Sequence, residues 1–228
     1  MLNNITWHAA KIILHAVSPV QKIIDGKPGD THIFINNQGI TILNNDGHQK
    51  IANYLINHIQ NINKGVVWAD KGWKNFSHYL NPETDVGIWP WPNAKYECQY
   101  HLNKSINYWK KGSLDKSMFY LGAAVHLVQD MCVPHHARCT PLSGHIDYEK
   151  WVQRNHNKYA VNNGGIYDIS NAVEGWLEVN SKLSLNYYSD VSIKKNYHTV
   201  TSVLLSQAQR STAGFLLYFI NSITKGKL

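Results

Sequence analysis

The sequence has few cysteines and no long apolar segment. Its three cysteines, Cys98, Cys132 and Cys139, cannot all pair within one chain, and none forms a C-x-x-C unit. The pattern therefore predicts no disulfide framework. No apolar run reaches the roughly 18 residues that a membrane-spanning helix needs, so we expect any membrane contact to be peripheral.

A standard secretory signal is also missing from the pattern. Lys11 precedes a short apolar stretch, residues 12–17, but His15 interrupts it and no A-x-A-like cleavage site follows. The sequence therefore assigns no cellular location.

Acidic residues are scarce as well: 15 Asp and Glu stand against 22 Lys and Arg, a net charge of +7. This balance favours an anionic partner such as a membrane surface, a nucleic acid or a phosphorylated substrate.

Histidine and the amphipathic aromatic residues are plentiful. The chain has 13 His, 13 Tyr and 8 Trp against only 5 Phe, and this excess of imidazole directs attention to metal or proton chemistry. Hydrophobic residues make up 43% of the chain, which is typical of a globular protein. No repeat or linker divides it, so we expect one domain over residues 1–228, and we expect a monomer.

Helical periodicity dominates the pattern, and no alternating strand pair is present. Asp30 or Thr31 is the expected cap of the helix that carries His32. Residues 63–93, rich in Gly, Pro, Asn and Trp, predict a long irregular loop. The fold class is therefore all-α, a single-domain helical bundle in which this loop carries part of the site. The predicted helices cover residues 7–24, 32–42, 46–62, 96–110, 114–130, 147–159, 170–185 and 197–223.

Two His and acid pairs at helical spacing carry the chemistry. His126 and Asp130 are four residues apart, so both project from one face of a helix, and His145 and Glu149 repeat the spacing. Between the pairs, Pro134 ends the first helix and His136 follows. Imidazole nitrogen mixed with carboxylate oxygen is the ligand set that zinc accepts at catalytic centres.

Further residues of the same types lie upstream, in an order that a known family shares. Thr31-His-Ile-Phe-Ile-Asn-Asn carries His32, Ala69-Asp70 supplies a loop acid, and Ser77-His-Tyr79 supplies His78. Together with Phe119-Tyr-Leu-Gly-Ala-Ala-Val-His126 and the pairs above, this set resembles the bacterial zinc-dependent phospholipase C family of the clostridial and bacillary type. The resemblance runs from about Asp30 to Phe219, over the catalytic domain.

The resemblance implies a multi-zinc site and names its ligands. One zinc would be held by Asp70, His78, His126 and Asp130, and a second by His136, His145 and Glu149. A third would use His32 and a bridging Asp130. Asp70 is then the expected catalytic residue, orienting the attacking water and acting as general base, with pure ligation as the alternative.

The sequence departs from the family at the third zinc. In the family an N-terminal tryptophan, exposed when a leader is removed, completes that site, whereas the only upstream tryptophan here is Trp7, 25 residues before His32. Two explanations remain open: cleavage exposes Trp7 and the intervening segment is an insertion, or another group completes the site. His8 and His15 are candidates for that group.

The resemblance implies a phosphodiester hydrolase, a phospholipase C that releases diacylglycerol and a phosphorylated headgroup at a membrane or micelle surface. The first alternative is a single-strand-specific zinc nuclease, since fungal and plant enzymes of that kind share the fold and zinc set, and nucleic acid is then the partner. The second is a zinc-stabilised binding module without turnover. The headgroup is not determined by the sequence.

Overall fold

The structure, a computed structural model, describes residues 29–224, and the predicted helix at 7–24 lies outside this range. Within it the regular secondary structure is helical, with one isolated antiparallel bridge between Asn81 and Val86. This confirms the all-α prediction. The α-helices are α1 (Asp30–Asn45), α2 (Gln49–Ala69), α3 (Ala94–Lys110), α4 (Leu114–Asp130), α5 (Pro134–Arg138), α6 (His145–Asn155), α7 (Val173–Leu185) and α8 (Tyr197–Thr224).

Helix α4 lies at the centre of the bundle, and most of its residues are buried. It crosses α2 at two glycines. A Cβ atom added to Gly65 would lie 1.9 Å from the backbone oxygen of Phe119, and one added to Gly122 would lie 2.0 Å from that of Ile62. Only glycine permits this approach, which brings the end of α2 close to α4.

Helix α8 closes the other side of the bundle. It packs against α1 and α4, and its residues Phe215 and Phe219 belong to the main apolar core. A second apolar cluster, which includes Tyr148, Val200 and Leu204, joins α8 to α6. Because both clusters contact α8, this helix holds the elements on either side of the α4 C-terminus together.

The loop after α2 is shorter than the sequence predicted. The pattern placed its start at residue 63, but α2 continues to Ala69, and a 3₁₀ helix follows at Gly72–Ser77. Gly65 explains the error. In a sequence pattern a glycine indicates a break in a helix, but Gly65 lies within α2 because the close packing of α2 on α4 requires a glycine there. The irregular segment is therefore about residues 78–93, with hydrogen bonds from Ala94 N to Tyr79 O and from Asn81 N to Val86 O.

Several predicted helix starts also need correction, among them α2, which begins at Gln49 rather than residue 46, and α3, which begins at Ala94 rather than residue 96. Neither Asp30 nor Thr31 caps α1; Gly29 does, in the left-handed conformation and without a side-chain cap. Helix α6 begins at His145 rather than residue 147, and α7 begins at Val173 rather than 170. Between residues 29 and 224, none of the helices is both long and apolar enough to cross a bilayer.

Candidate metal centre

The last turn of α4 forms the middle of the site. His126 and Asp130 are one turn apart and both are buried, and His126 Nε2 lies 3.0 Å from Asp130 Oδ2. The chain then turns, and Pro134 opens α5 at its first position, where a proline needs no N–H partner. His136 thereby returns toward α4, with Nδ1 3.8 Å from Asp130 Oδ2.

His78 joins this pair from the loop that follows the 3₁₀ helix. Its Nδ1 lies 2.9 Å from Asp130 Oδ2 and 3.2 Å from His126 Nε2. The backbone around it is attached to α5, since Leu80 N donates to His136 O and His136 Nδ1 lies 2.9 Å from His78 O. Burial lowers the pKa of His78 to about 4, so its imidazole is neutral at pH 7.

Asp70 caps the C-terminus of α2, and it is half-buried beside His78 and His126. One ligand atom from each of these three residues lies within 4.8 Å of the others. Burial raises the pKa of the Asp70 carboxyl to about 6, and the negative charges of Asp130 and Glu149 act in the same direction. The close approach of α2 to α4 places Asp70 here.

A second group lies between α5 and α6. His145 opens α6 and Glu149 follows one turn later, with His145 Nε2 2.8 Å and His136 Nε2 3.5 Å from Glu149 Oε1. Burial opposes a charge on His136, but the carboxylates of Asp130 and Glu149 outweigh burial and raise its pKa to about 9. The raised pKa of His136 therefore shows that Asp130 and Glu149 favour a positive charge at this position.

His32, in the first turn of α1, approaches the centre from the opposite side. Its Nε2 lies 3.5 Å from Asp130 Oδ1, and it forms a possible ligand group with His126 and Asp130. Burial lowers the pKa of His32 to about 4, so this imidazole is also neutral at pH 7. Trp7, His8 and His15, the candidates to complete this group, lie outside the described residues.

The structure thus brings all eight predicted site residues into one cleft: His32, Asp70, His78, His126, Asp130, His136, His145 and Glu149. Their roles as ligands stay predictions. The chemistry of the set fits zinc, because the imidazole nitrogens of His78 and His126 face one another at hydrogen-bond distance beside a buried carboxylate. Such an arrangement is costly without a cation, since buried charged and polar groups need partners.

Sequence reasoning missed the neighbours that hold the ligands. Tyr79 stacks on His136 with 4.7 Å between ring centroids, and His135 stacks on His145 at 5.1 Å. His135 Nε2 also lies 3.0 Å from Ser143 O, which fixes the turn before α6. Gln129 contacts His32. The signal available was adjacency to a candidate ligand: Tyr79 follows His78, Gln129 precedes Asp130 and His135 precedes His136. Adjacent side chains on a helix usually point to different faces.

The fold and the cleft together define an all-helical protein that gathers several zinc-type ligand groups in one site. The zinc dependent phospholipase C family model matches residues 31–219, and the chain therefore belongs to that family. This confirms the resemblance drawn from the motifs, and with it the assignment to zinc-dependent phospholipase C enzymes and to zinc as the metal.

Individual relatives agree with the family. The chain is 27% identical to a phospholipase C of Listeria monocytogenes, over 83% of this chain and 76% of that protein. It is 23% identical to a phospholipase C of Clostridium perfringens, over 89% of this chain but only 62% of that protein. The chain thus spans less than two thirds of the clostridial relative.

Solved structures share the fold. An alpha toxin from Clostridium absonum matches with a TM-score of 0.78 at 21% identity, over 90% of this chain and 67% of that one. A Clostridium perfringens alpha-toxin from an avian strain matches with a TM-score of 0.75 at 22% identity, over 89% and 66%. At these identities the likeness describes the helical fold alone.

Proposed function

We propose that this chain hydrolyses the phosphodiester of phospholipids, releasing diacylglycerol and a phosphorylated headgroup, with zinc bound in the cleft around Asp130. The observation that carries the proposal is the convergence, in one cleft, of all eight residues that match the family's ligand pattern. The chain covers only part of the clostridial relative, so the activity of that relative is not transferred to it. The activity and substrate are proposed from the residues of this chain.

The distances support a particular assignment of ligands. Asp70, His78, His126 and Asp130 would hold one zinc, and His136, His145 and Glu149 a second. His32 with a bridging Asp130 would contribute to a third. Zinc, when bound, supplies a water of lowered pKa and positive charge opposite the phosphoryl oxygens.

Asp70 is the residue that we propose as general base. It caps the C-terminus of α2 next to the segment that carries His78, and burial raises its carboxyl pKa to about 6. A carboxylate with a pKa in this range is ionised at neutral pH and accepts a proton more readily than an ordinary aspartate. Its other role is to hold the cation beside His78 and His126.

The loop beside the cleft favours a lipid surface. Trp89 is 89% exposed, and Trp91, two residues later on the same loop, stacks with Phe76 and Trp73. An exposed amphipathic ring on such a loop is suited to the headgroup level of a membrane. A single-strand nuclease would instead need a continuous basic groove beside its aromatic platforms, and the basic residues of this sequence are dispersed.

The direct test compares substrates. The purified zinc-loaded protein is assayed on phosphatidylcholine and phosphatidylethanolamine vesicles, on single-stranded DNA and on a simple phosphodiester, each with and without a chelator. We expect chelator-sensitive release of diacylglycerol and little cleavage of DNA. Chelator-sensitive digestion of DNA without diacylglycerol release would favour the nuclease, and retained zinc without any turnover would favour the binding module.

A second test concerns the loop. Replacing Trp89 by alanine should lower the rate on vesicles and leave the rate on a water-soluble, short-chain phospholipid below its micelle concentration unchanged, because Trp89 contacts the surface and not the scissile bond. Trp91→Ala should act in the same direction. The interfacial role of the loop is wrong if Trp89→Ala lowers both rates equally or neither.

A further inference from the structure

A buried hydrogen-bond network contacts the Nδ1 side of His32. Gln129, the α4 residue before Asp130, is 1% exposed, and its side chain contacts three others: His32, Asn36 and Thr212. Asn36 and Thr212 are fully buried. The network therefore connects α1, α4 and α8 at the place where His32 approaches the metal centre.

The orientations of the side-chain amides set which groups donate. Asn36 Nδ2 donates to Asn63 Oδ1 at 2.8 Å, so Asn36 Oδ1 accepts from Gln129 Nε2 at 2.8 Å. Gln129 Nε2 also lies 3.2 Å from Thr212 Oγ1. Both N–H groups of the Gln129 amide are then used, and its Oε1 atom faces His32 Nδ1 at 2.8 Å as an acceptor.

The other nitrogen of His32 points to the same tautomer. His32 Nε2 lies 3.5 Å from Asp130 Oδ1, longer than the 2.7–3.2 Å of a normal N–H···O hydrogen bond. A proton on Nε2 would therefore lack a well-placed acceptor, whereas a proton on Nδ1 has Gln129 Oε1 at 2.8 Å. With the proton on Nδ1, the Nε2 lone pair faces the centre beside Asp130.

We propose that Gln129 is a positioning residue for a metal ligand: it accepts the Nδ1–H of His32 and so holds Nε2 free to bind the cation beside Asp130. A histidine ligand is commonly oriented in this way through its second nitrogen. The inference rests on the zinc-binding part of the proposed function and not on the phospholipid substrate. It also means that residues of α1, α4 and α8 orient His32, whichever group completes this site.

The experiment measures zinc rather than turnover. Zinc content and affinity are determined by chelator competition for the wild type, His32→Ala, Gln129→Leu and Gln129→Glu. We expect His32→Ala to lose one ion, and Gln129→Leu to bind that ion about 10- to 100-fold more weakly. Gln129→Glu keeps the acceptor for His32 but loses the N–H donors to Asn36 and Thr212, so its affinity should lie between those of the wild type and Gln129→Leu. Adding Gln129→Leu to His32→Ala should cause no further loss.

The matched control is Gln209→Leu. Gln209 is also fully buried in α8, where it bonds Tyr159 O at 2.9 Å and Val161 N at 2.8 Å, away from the ligands. It should lower the thermal midpoint and leave zinc affinity unchanged, so a general loss of stability is distinguished from a loss of ligand orientation. Equal loss of zinc in both leucine variants would overturn the proposal.

A spectroscopic measurement covers the case in which Gln129→Leu does not fold. Long-range ¹H–¹⁵N spectra of zinc-loaded wild-type protein, labelled at histidine, should show His32 with its proton on Nδ1. A proton on Nε2, or a zinc content that His32→Ala does not change, would refute the proposal. If the protein cleaves no phospholipid but these zinc results hold, the proposed phospholipase activity is wrong and the inference about Gln129 stands.

Discussion

At the scale of single residues, the cleft concentrates five imidazoles and three carboxylates around Asp130. In the absence of a cation the carboxylates attract protons instead, and His136 shows this most clearly, because Asp130 and Glu149 raise its pKa to about 9 against the effect of burial. The same carboxylates would attract zinc, so we expect protons and zinc to compete for these positions.

This competition predicts the pH dependence of zinc affinity. The raised pKa means that His136 is protonated at pH 7.5 without zinc, and zinc binding must displace the proton. Affinity should therefore still rise between pH 7.5 and 8.5, where a histidine of ordinary pKa, about 6.5, contributes almost nothing. Chelator competition at the two pH values measures this. A constant affinity would show that the raised pKa of His136 is wrong.

Replacing Asp70 separates chemistry from zinc binding. Asp70→Asn should lower kcat by roughly 10²- to 10⁴-fold, the contribution of a general base. The zinc held by His136, His145 and Glu149 should stay, because Asp70 belongs to the other group. Kinetics and zinc analysis measure both effects, and Asp115→Asn, at an exposed position of α4, is the control. Wild-type activity at saturating substrate would exclude Asp70 as base and as essential ligand.

At the scale of helices, the position of Asp70 depends on how closely α2 approaches α4. Gly65 and Gly122 face the backbone of the opposite helix, and the added carbon of an alanine would overlap a carbonyl oxygen in either case. The helices would have to separate, and Asp70, which ends α2, would move relative to His126. The glycines thus serve both the packing and the site.

Gly122→Ala tests this dependence. The substitution should destabilise the fold by about 1–3 kcal/mol, the usual cost of overpacking, and should also weaken zinc binding. Lys64→Ala, at an exposed position of α2 next to Gly65, should change neither. Denaturant unfolding and zinc analysis provide the measurements. A Gly122→Ala protein as stable as the wild type would show that the crossing is looser than the structure describes.

At the scale of the whole molecule, the cleft joins segments that are distant in sequence. Its candidate ligands come from α1, the end of α2, the following loop, α4, α5 and α6. A bound cation therefore links these segments, and because it binds the folded state alone it adds RT ln(1 + [L]/Kd) to the stability. Metal content and thermal stability should consequently change together.

Removing zinc should lower the thermal midpoint. At free zinc 100-fold above Kd, one ion contributes about 2.7 kcal/mol. For a chain of this size, that corresponds to a fall of about 5–11 °C when a chelator is added. Calorimetry measures the shift, and re-addition of zinc is the control. Less than one zinc per chain after refolding with zinc would remove the basis for the metal centre.

The sequence by itself determined the helical class and the identity of the candidate ligands. Helical periodicity is a local property, so the bounds of α4 were predicted without error, and the spacing of His126 and Asp130 follows from 3.6 residues per turn. The order of the motifs then led to the zinc-dependent phospholipase C family. The single domain over residues 1–228 and the monomer stay predictions.

Only the tertiary structure decided what depends on contacts between distant segments. The extension of α2 past residue 63 follows from the packing of Gly65 on α4, which local propensity opposes. The role proposed for Gln129, orienting His32, depends on the packing of α1 against the end of α4, which brings His32 Nδ1 to the Gln129 side chain. The pKa values of Asp70 and His136 likewise follow from burial and from carboxylates brought close by folding, because electrostatic interactions depend on separation in space and not on separation along the chain.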